Sequence, residues 1–155
     1  PKAALARLEP LVEGSDAGEL GIMRLLPTLT RARAELGDVA DAERILAEGI
    51  ERATVQQHRL ALVDLLRMHG TILGMRGQDR REEAARTLDE AIALARSMAY
   101  PYAEGRALFE QGYLFIRTND RHSARERLAE ALAIFQRLGA RPDTDRVYRA
   151  LAELG

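Results

Sequence analysis

The feature that most constrains this chain is a two-helix unit that recurs along it. The clearest copy lies within Arg106–Leu138, where apolar residues recur at intervals of three, four and seven residues. This is the period of one helix face. Gly112 and Phe115 lie on one face of the first predicted helix, and Ala124 and Leu128 lie on one face of the second. A small residue beside a large one on each face predicts two helices in close contact.

The segments between the predicted helices carry residue types that end one helix and start the next. Asn119 tolerates the left-handed conformation that ends a helix, and Asp120 can cap the helix that follows. Asp38 is placed in the same way after a glycine, while Asp79 and Glu82 have the spacing of a capping box. Short connections of this kind predict antiparallel helical hairpins.

The same unit occurs twice upstream in weaker form. Ala84 stands 40 residues before Ala124, and Ala42 stands 42 residues before Ala84. On the first helices, Gly70 stands 42 residues before Gly112. Because this offset exceeds the 40 residues that separate the second helices, the loop inside the middle unit should be about two residues longer than that of the last unit. Self-similarity at this period predicts stacked helix pairs.

These positions carry a family resemblance. The small and large markers resemble the tetratricopeptide (TPR) pattern, and they are Gly112, Ala124, Ala131, Leu108, Phe115 and Leu128. Three copies cover about Leu20–Leu138. The resemblance implies an all-α fold in which antiparallel helix-hairpin repeats stack as a short right-handed TPR-like superhelix with a C-terminal capping helix.

A narrower resemblance is carried by two phrases, PYAEGRALFEQGYLF and LAEALAIFQRLGARPD. Both are similar to the helical-repeat region of MalT-like LuxR-type signalling ATPases and related multidomain cyclases. In that group the repeats follow a nucleotide-switch domain and sense an inducer or a partner. The chain opens at Pro1 without an initiating Met, and its first residues already have the character of a repeat, so we expect a fragment of a larger protein.

The predicted organisation is one domain with seven or eight helices and no sheet. Its segments are a half-repeat helix and connector (1–17), repeat 1 (18–54), repeat 2 (55–99), repeat 3 (100–140) and the capping helix (141–155). Pro10 should end or kink the first helix, and Pro27 should bend the second. Gly14-Ser15-Asp16 is predicted to be the connector, and the longest helix is expected from about Val55 to Arg76.

Composition excludes several classes of function. The net charge of −1 on 155 residues gives no overall attraction for nucleic acid or anionic membranes. No run of 18 apolar residues exists, so a membrane span is not expected. Cysteine is absent, which removes disulfides and thiolate metal sites and suits a cytoplasmic protein.

No motif points to catalysis, a cofactor or a metal. The glycines Gly70, Gly74 and Gly77 have the wrong spacing for a phosphate loop and fall at the end of a helix. His58 and His69 are eleven residues apart, which on a helix separates them by about 16 Å, too far to share a metal ion. We therefore expect a protein that binds and does not act as an enzyme.

The inner wall of the stack is the predicted binding surface. In TPR-like repeats the first helices line that wall, and the resemblance places Arg24, Arg31, Arg67, Thr71, Met75, Arg106, Phe109, Tyr113 and Arg117 on it. Five of these nine are arginines, which form bidentate contacts with carboxylates and phosphates. An acidic peptide or anionic ligand is one interpretation. The other is that abundant arginines pair with neighbouring acids, chiefly Asp64 and Glu35.

Three functions compete at this stage. The first is a protein-protein interaction scaffold in a larger bacterial signalling or transcription-regulatory protein, binding a peptide or partner on the concave face. The second is a small-molecule inducer-sensing domain, which a compact pocket near Tyr113, Phe109 and Met75 would favour. The third is a structural spacer or a module that self-associates into a homo-oligomer. If the first function is correct, replacing both Arg67 and Arg117 by Glu should abolish binding of the partner and leave the fold nearly intact, since neither position is assigned to the core.

Overall fold

Eight α-helices in succession account for nearly all of the described chain. The computed structural model describes residues 1–13 and 19–155, and within them there is no β-strand. The helices are α1 (Lys2–Glu13), α2 (Glu19–Glu35), α3 (Val39–Val55), α4 (Arg59–Met75), α5 (Arg81–Ser97), α6 (Pro101–Arg117), α7 (Arg121–Leu138) and α8 (Arg141–Ala152). The predicted all-α arrangement of stacked helical hairpins is confirmed. The predicted connector at 14–16 lies outside the described residues.

The helices form two layers. Each of the pairs α2–α3, α4–α5 and α6–α7 packs as a hairpin, and each pair also packs on the next along the chain. In addition, α4 contacts both α2 and α6, so the first helices lie side by side. The last helix, α8, packs on α7 and reaches α6 through side-chain contacts. We call the layer of α2, α4, α6 and α8 the inner layer.

The repeated alanine and leucine positions form the core of the hairpins. Six equivalent residues on the second helices have no exposed surface, namely Ala42, Leu46, Ala84, Leu88, Ala124 and Leu128. The largest core cluster runs from α4 to the end of the chain and includes Phe135, Val147 and Leu154. Val147 and Leu154 therefore bury the apolar face of the last hairpin, as the sequence predicted for the closing helix.

Small residues on the first helices permit the close approach within each hairpin. A Cβ atom added to Gly112 would lie 2.8 Å from Cγ of Leu128, and one added to Gly70 would lie 2.6 Å from Cγ of Leu88. Thr30 takes this position in the first hairpin, where it is fully buried and its hydroxyl donates to the carbonyl oxygen four residues back at 2.7 Å. The close contact predicted at Gly112 is thus confirmed.

Turn chemistry is confirmed in the last hairpin. Asn119 is left-handed with φ of +59°, and Oδ1 of Asp120 accepts a hydrogen bond from the backbone N–H of Ser123 at 3.1 Å. Asp38 occupies the equivalent position in the first hairpin, but its side chain makes no capping hydrogen bond. The middle hairpin has five residues between its helices where the last has three, so the longer loop is also confirmed.

Two local predictions are wrong, and one of the two outcomes predicted for Pro10 is not observed. The capping box at Asp79 and Glu82 does not form, because Asp79 lies in a 3-10 turn and α5 begins after Arg80 with no side-chain cap. Pro10 lies inside α1, which continues to Glu13, so it does not end this helix. The longest predicted helix starts four residues late, at Arg59, because α3 runs on to Val55 and Gln57 adopts a left-handed turn with φ of +56°.

Pro27 lies inside α2, which is assigned as one continuous helix. Pro27 is buried, and it lines a cleft of the inner layer. Proline has no N–H to donate within the helix, so this position gives up one backbone hydrogen bond. Pro27 therefore packs within the structure and also forms part of the cleft wall.

Candidate ligand-binding groove

The inner layer holds a groove made of two adjoining clefts. The first, which we call the arginine cleft, has a volume of about 270 Å³ and is lined by residues of α2, α4, α6, α7 and α8. The second, the tyrosine cleft, has a volume of about 320 Å³ and lies between α2, α6 and α8. Because α2 and α8 both reach the same small cleft, the inner layer curves around it and is concave.

The groove brings together six of the nine predicted site residues. The arginine cleft includes Arg24, Arg31, Arg67, Arg106 and Phe109, and the tyrosine cleft shares Arg31 and Phe109 and adds Tyr113. The other three predicted residues do not line either cleft. Thr71 donates to the backbone oxygen of Arg67, Met75 is exposed near the end of α4, and Arg117 lines a smaller hollow of about 100 Å³ beside the α4–α5 loop.

Arg67 forms the floor of the arginine cleft. Its side chain is only 3% exposed, so the expectation that Arg67 lies outside the core is wrong. Its Nε donates to Oδ1 of Asp64 at 3.3 Å, and its Nη1 lies 3.6 Å from Oε1 of Glu110 on α6. Burial lowers the pKa of Arg67, the positive charge of Arg106 lowers it further, and the two carboxylates oppose that shift.

Asp64 is shared between two arginines of the cleft. The same oxygen, Oδ1, lies 3.3 Å from Nε of Arg67 and 3.2 Å from Nη1 of Arg106. The acid pairing that the sequence offered as the alternative therefore exists at the centre of the groove. At its edge, Arg31 pairs with Glu35 at 3.0 Å, and both of those side chains are exposed. Exposed pairs of this kind contribute little to stability and exchange readily with solvent ions.

Aromatic side chains connect α6 to α8 along the groove. The guanidinium of Arg146 lies 4.7 Å from the ring centre of Phe109. The hydroxyl of Tyr102 donates to Oδ2 of Asp143 at 3.0 Å, and that of Tyr113 donates to Oε1 of Glu153 at 3.3 Å. In both tyrosines, burial raises the pKa of the hydroxyl and the nearby carboxylate raises it further.

The contribution of α8 to the groove was not predicted, because that segment was assigned only as a closing helix. A signal for it exists in the repeat offset. Arg146 stands 40 residues after Arg106, and Glu153 stands 40 residues after Tyr113. All four residues line the groove. One more shift by the period of the second helices would therefore have identified the inward positions of α8.

The groove carries more positive than negative charge. Its arginines are Arg24, Arg31, Arg67, Arg106, Arg146 and Arg149, and its carboxylates are Asp64, Glu110, Asp143 and Glu153. Two positive charges are in excess, on a chain whose net charge is −1. The remaining surface is therefore net acidic, and the field in the groove favours anions.

Other kinds of site find little support in the described part of the chain. No group of three or more histidines and carboxylates there is arranged to hold a metal ion. None of the described helices combines the length and the apolar composition that a membrane crossing requires.

Comparison with known proteins shows the fold. No family model matches the chain, and no curated protein matches it. Among solved structures, it is similar to the crystal structure of BtubC (BKLC) from P. vanneervenii, with a TM-score of 0.71 and 18% sequence identity. The match covers 99% of this chain and 62% of BtubC, so the chain spans less than two thirds of the length of that protein. At this identity the likeness concerns the fold alone.

Proposed function

We propose that this chain is a TPR-like binding module that takes an anionic segment of a partner protein into its inner groove. The observation that carries the proposal is the groove itself, a concave surface built mainly by the four helices of the inner layer, with two positive charges in excess. Arginine forks on a curved wall suit carboxylate groups presented by an extended chain. We infer no catalytic role, and we place the module in a cytoplasmic signalling or transcription-regulatory protein.

A small-molecule sensor is the second candidate. The observation in its favour is the arginine cleft, whose volume of about 270 Å³ fits one small ligand and whose floor is a buried arginine. Ligand sites of this size combine apolar walls with a few polar groups that fix orientation. The partner-binding proposal is preferred because the cleft continues into the tyrosine cleft, and the combined surface is longer than a small ligand needs.

Peptide selection followed by charge reversal tests the first proposal. Random peptides displayed on phage are selected against the chain, and the recovered sequences are measured by fluorescence polarisation. We expect enrichment in Asp and Glu beside an apolar residue. The affinity should fall as salt rises from about 0.1 to 0.5 M, since exposed charges are screened over about 10 Å or less in that range. Recovery of neutral or basic peptides would contradict the proposal.

The matched variants separate the groove from the rest of the surface. Arg24→Glu with Arg31→Glu reverses two exposed charges on the inner face of α2. Arg86→Glu with Arg137→Glu makes the same change on α5 and α7, where both residues are exposed. The inner pair should abolish peptide binding and the outer pair should leave it nearly unchanged. Equal losses of peptide binding in the two double variants would mean that the binding surface lies outside the groove.

Two other arginines are unsuitable for this test. Arg67→Glu would place a third carboxylate beside Asp64 and Glu110 at a buried position, so loss of binding could not be separated from loss of the fold. Arg125 on the outer layer donates to the carbonyl oxygen of Gly155 at 2.6 Å, and its replacement would loosen the end of the chain.

A further inference from the structure

We propose that Arg67 and Arg106 form a preformed oxyanion site in the arginine cleft, and that its ligand is a carboxylate on an apolar body. This inference rests on the proposed function, because it takes the groove to be the binding surface. It goes further in naming the chemical group that anchors the ligand and the two side chains that hold it.

The first step is the hydrogen-bonding state of Arg67. Its side chain is 3% exposed and faces the cleft, yet Nε makes its one side-chain hydrogen bond to the described residues, at 3.3 Å. The contact from Nη1 to Glu110 is 3.6 Å, too long for a hydrogen bond. A guanidinium has five N–H groups, and those on Nη1 and Nη2 of Arg67 make no hydrogen bond to the described residues but still reach the cleft, where water or a ligand can accept from them. An oxyanion in the cleft would satisfy the donors on Nη1 and Nη2.

The second step is that the cleft already accommodates a carboxylate oxygen between its two arginines. Oδ1 of Asp64 lies 3.2 Å from Arg106 and 3.3 Å from Arg67. Charge-assisted bonds between arginine and carboxylate are normally about 2.7–2.9 Å long. The internal pairing is therefore loose. An incoming carboxylate that makes shorter bonds to both guanidiniums can replace Asp64, whose side chain can turn towards solvent because it is already about one-third exposed.

The third step is the apolar side of the same cleft. Met68 and Phe135 are almost fully buried in its wall, and Phe109 is 7% exposed. The volume of about 270 Å³ equals roughly nine water molecules at about 30 Å³ each. One amino-acid side chain or one small carboxylic acid fits this space. The ligand group is therefore an oxyanion with an attached apolar body of that size.

The group already held between the two arginines favours a carboxylate ligand over a phosphate. Asp64 places one oxygen of a planar, singly charged carboxylate within 3.3 Å of both guanidiniums. A ligand carboxylate replaces it with a group of the same shape and charge, whereas a phosphate monoester is tetrahedral and carries nearly two negative charges at neutral pH. The carboxylate could belong to a partner chain or to a free acid, and the test below distinguishes the two sources.

The probe is 3-phenylpropionate, with 3-phenylpropanol as its neutral counterpart. Titration of the isotope-labelled chain should give saturable amide shifts in α4 and α6 with a Kd on the order of 1–10 mM, as the size of the probe predicts. The alcohol should give none at the same concentration. Phenyl phosphate should bind more weakly than the carboxylate. Equal binding of acid and alcohol, or tighter binding of the phosphate, would overturn the proposal.

Two variants act on the site in opposite directions. Arg106→Gln leaves Asp64 paired with Arg67 and should weaken the probe by about tenfold, the effect of losing one charge-assisted contact. Asp64→Asn removes the competing carboxylate and should tighten the probe several-fold. Arg137→Gln, an exposed change on α7, is the charge-matched control. Unchanged binding in Arg106→Gln, or weaker binding in Asp64→Asn with the fold intact, would refute the site.

The outcomes separate this inference from the proposed function. Selected acidic peptides that bind through the inner face while the probe gives no shift in the cleft would leave the function standing and refute the oxyanion site. Probe binding without any peptide binding would support the oxyanion site and refute the proposed partner binding. The ligand would then be a free carboxylic acid. Where both bind, a peptide at least about tenfold tighter than the probe and displaced by it identifies a partner carboxylate as the source.

Discussion

The close contact between Gly112 on α6 and Leu128 on α7 allows us to predict whether a substitution of Gly112 raises or lowers the free energy of unfolding. In Gly112→Ala, the new Cβ would lie 2.8 Å from Cγ and 2.9 Å from Cδ2 of Leu128. Carbon atoms in contact normally stay about 3.5–4.0 Å apart. The two helices must therefore separate by a large fraction of an ångström, because Cγ is the branch point of the leucine and cannot swing away as a chain end can.

Two opposing contributions set the size of the change in unfolding free energy for Gly112→Ala. Overpacking of this kind typically costs 1–3 kcal/mol, so we take about 2 kcal/mol. Replacing glycine by alanine inside a helix returns about 1 kcal/mol. The net loss of unfolding free energy should be about 1 kcal/mol. Gly70→Ala should cost more, because its Cβ would lie 2.6 Å from Leu88 Cγ and also 3.1 Å from the backbone oxygen of Ala84.

A double-mutant cycle provides the assay, with urea unfolding followed by far-ultraviolet circular dichroism. Leu128→Ala alone should cost about 2–5 kcal/mol because it leaves a cavity. In that background the obstructing atoms are gone, so Gly112→Ala should become stabilising by about 1 kcal/mol. A change of sign between the two backgrounds is the expected result. If Gly112→Ala has the same effect with and without the leucine side chain, the steric account of this position is wrong.

Three further predictions concern local structure. Asp120→Ala should lower the urea midpoint, because the carboxylate of Asp120 caps α7. Asp38→Ala should leave the midpoint unchanged, because Asp38 makes no capping hydrogen bond, and equal effects of the two variants would contradict this explanation. Tyr113→Phe removes the hydrogen bond to Glu153 and should speed amide exchange in α8 by up to about tenfold, whereas unchanged exchange would deny that the bond holds α8. Truncation after Gly139 should lower the Tm or cause aggregation, since it uncovers the core that α8 buries; an unchanged Tm in a monomer would refute this.

The fold could be predicted because its determinants are local and repeated. Small residues at equivalent positions, such as Ala84 and Ala124, set the spacing of paired helices directly, and both are fully buried. The two-residue difference between repeat offsets likewise translated into the longer loop of the middle hairpin. These features follow from side-chain size and periodicity along a single stretch of chain, which the sequence displays without help from distant residues.

Several turns could not be predicted because residue type did not indicate them. Ala99 adopts φ of +50°, and Gln57 adopts φ of +56°, although neither type favours the left-handed region. Both turns close with a backbone hydrogen bond that spans five residues, from the N–H of Tyr100 to the carbonyl of Ala95 at 3.0 Å and from that of His58 to Ala53 at 2.9 Å. The turn inside the last hairpin has the same bond, from Asp120 to Phe115 at 3.0 Å, so this geometry belongs to the helix end and not to one residue type.

The chemistry of the groove was harder to predict because burial of a charge depends on residues far apart in the chain. The TPR resemblance placed Arg67 on the inner wall, but its burial depends on α6, which brings Glu110 to within 3.6 Å. An arginine at an inward position can lie exposed at the rim of the groove or buried at its floor, and its position within the sequence repeat is the same in both cases.

The exposed arginines at the rim of the groove and the buried arginine at its floor should therefore affect different steps of binding. Arg24 and Arg31 are exposed, so they act on a ligand over a distance and should govern the rate of association and its dependence on salt. Arg67 is buried, and salt in solution screens its charge much less. Its hydrogen bonds form only after the ligand enters the cleft, so it should govern the rate of dissociation. Stopped-flow measurements on a selected peptide should therefore show a steep salt dependence in the association rate and a shallow one in the dissociation rate. A salt dependence confined to dissociation would mean that the exposed arginines do not steer the ligand.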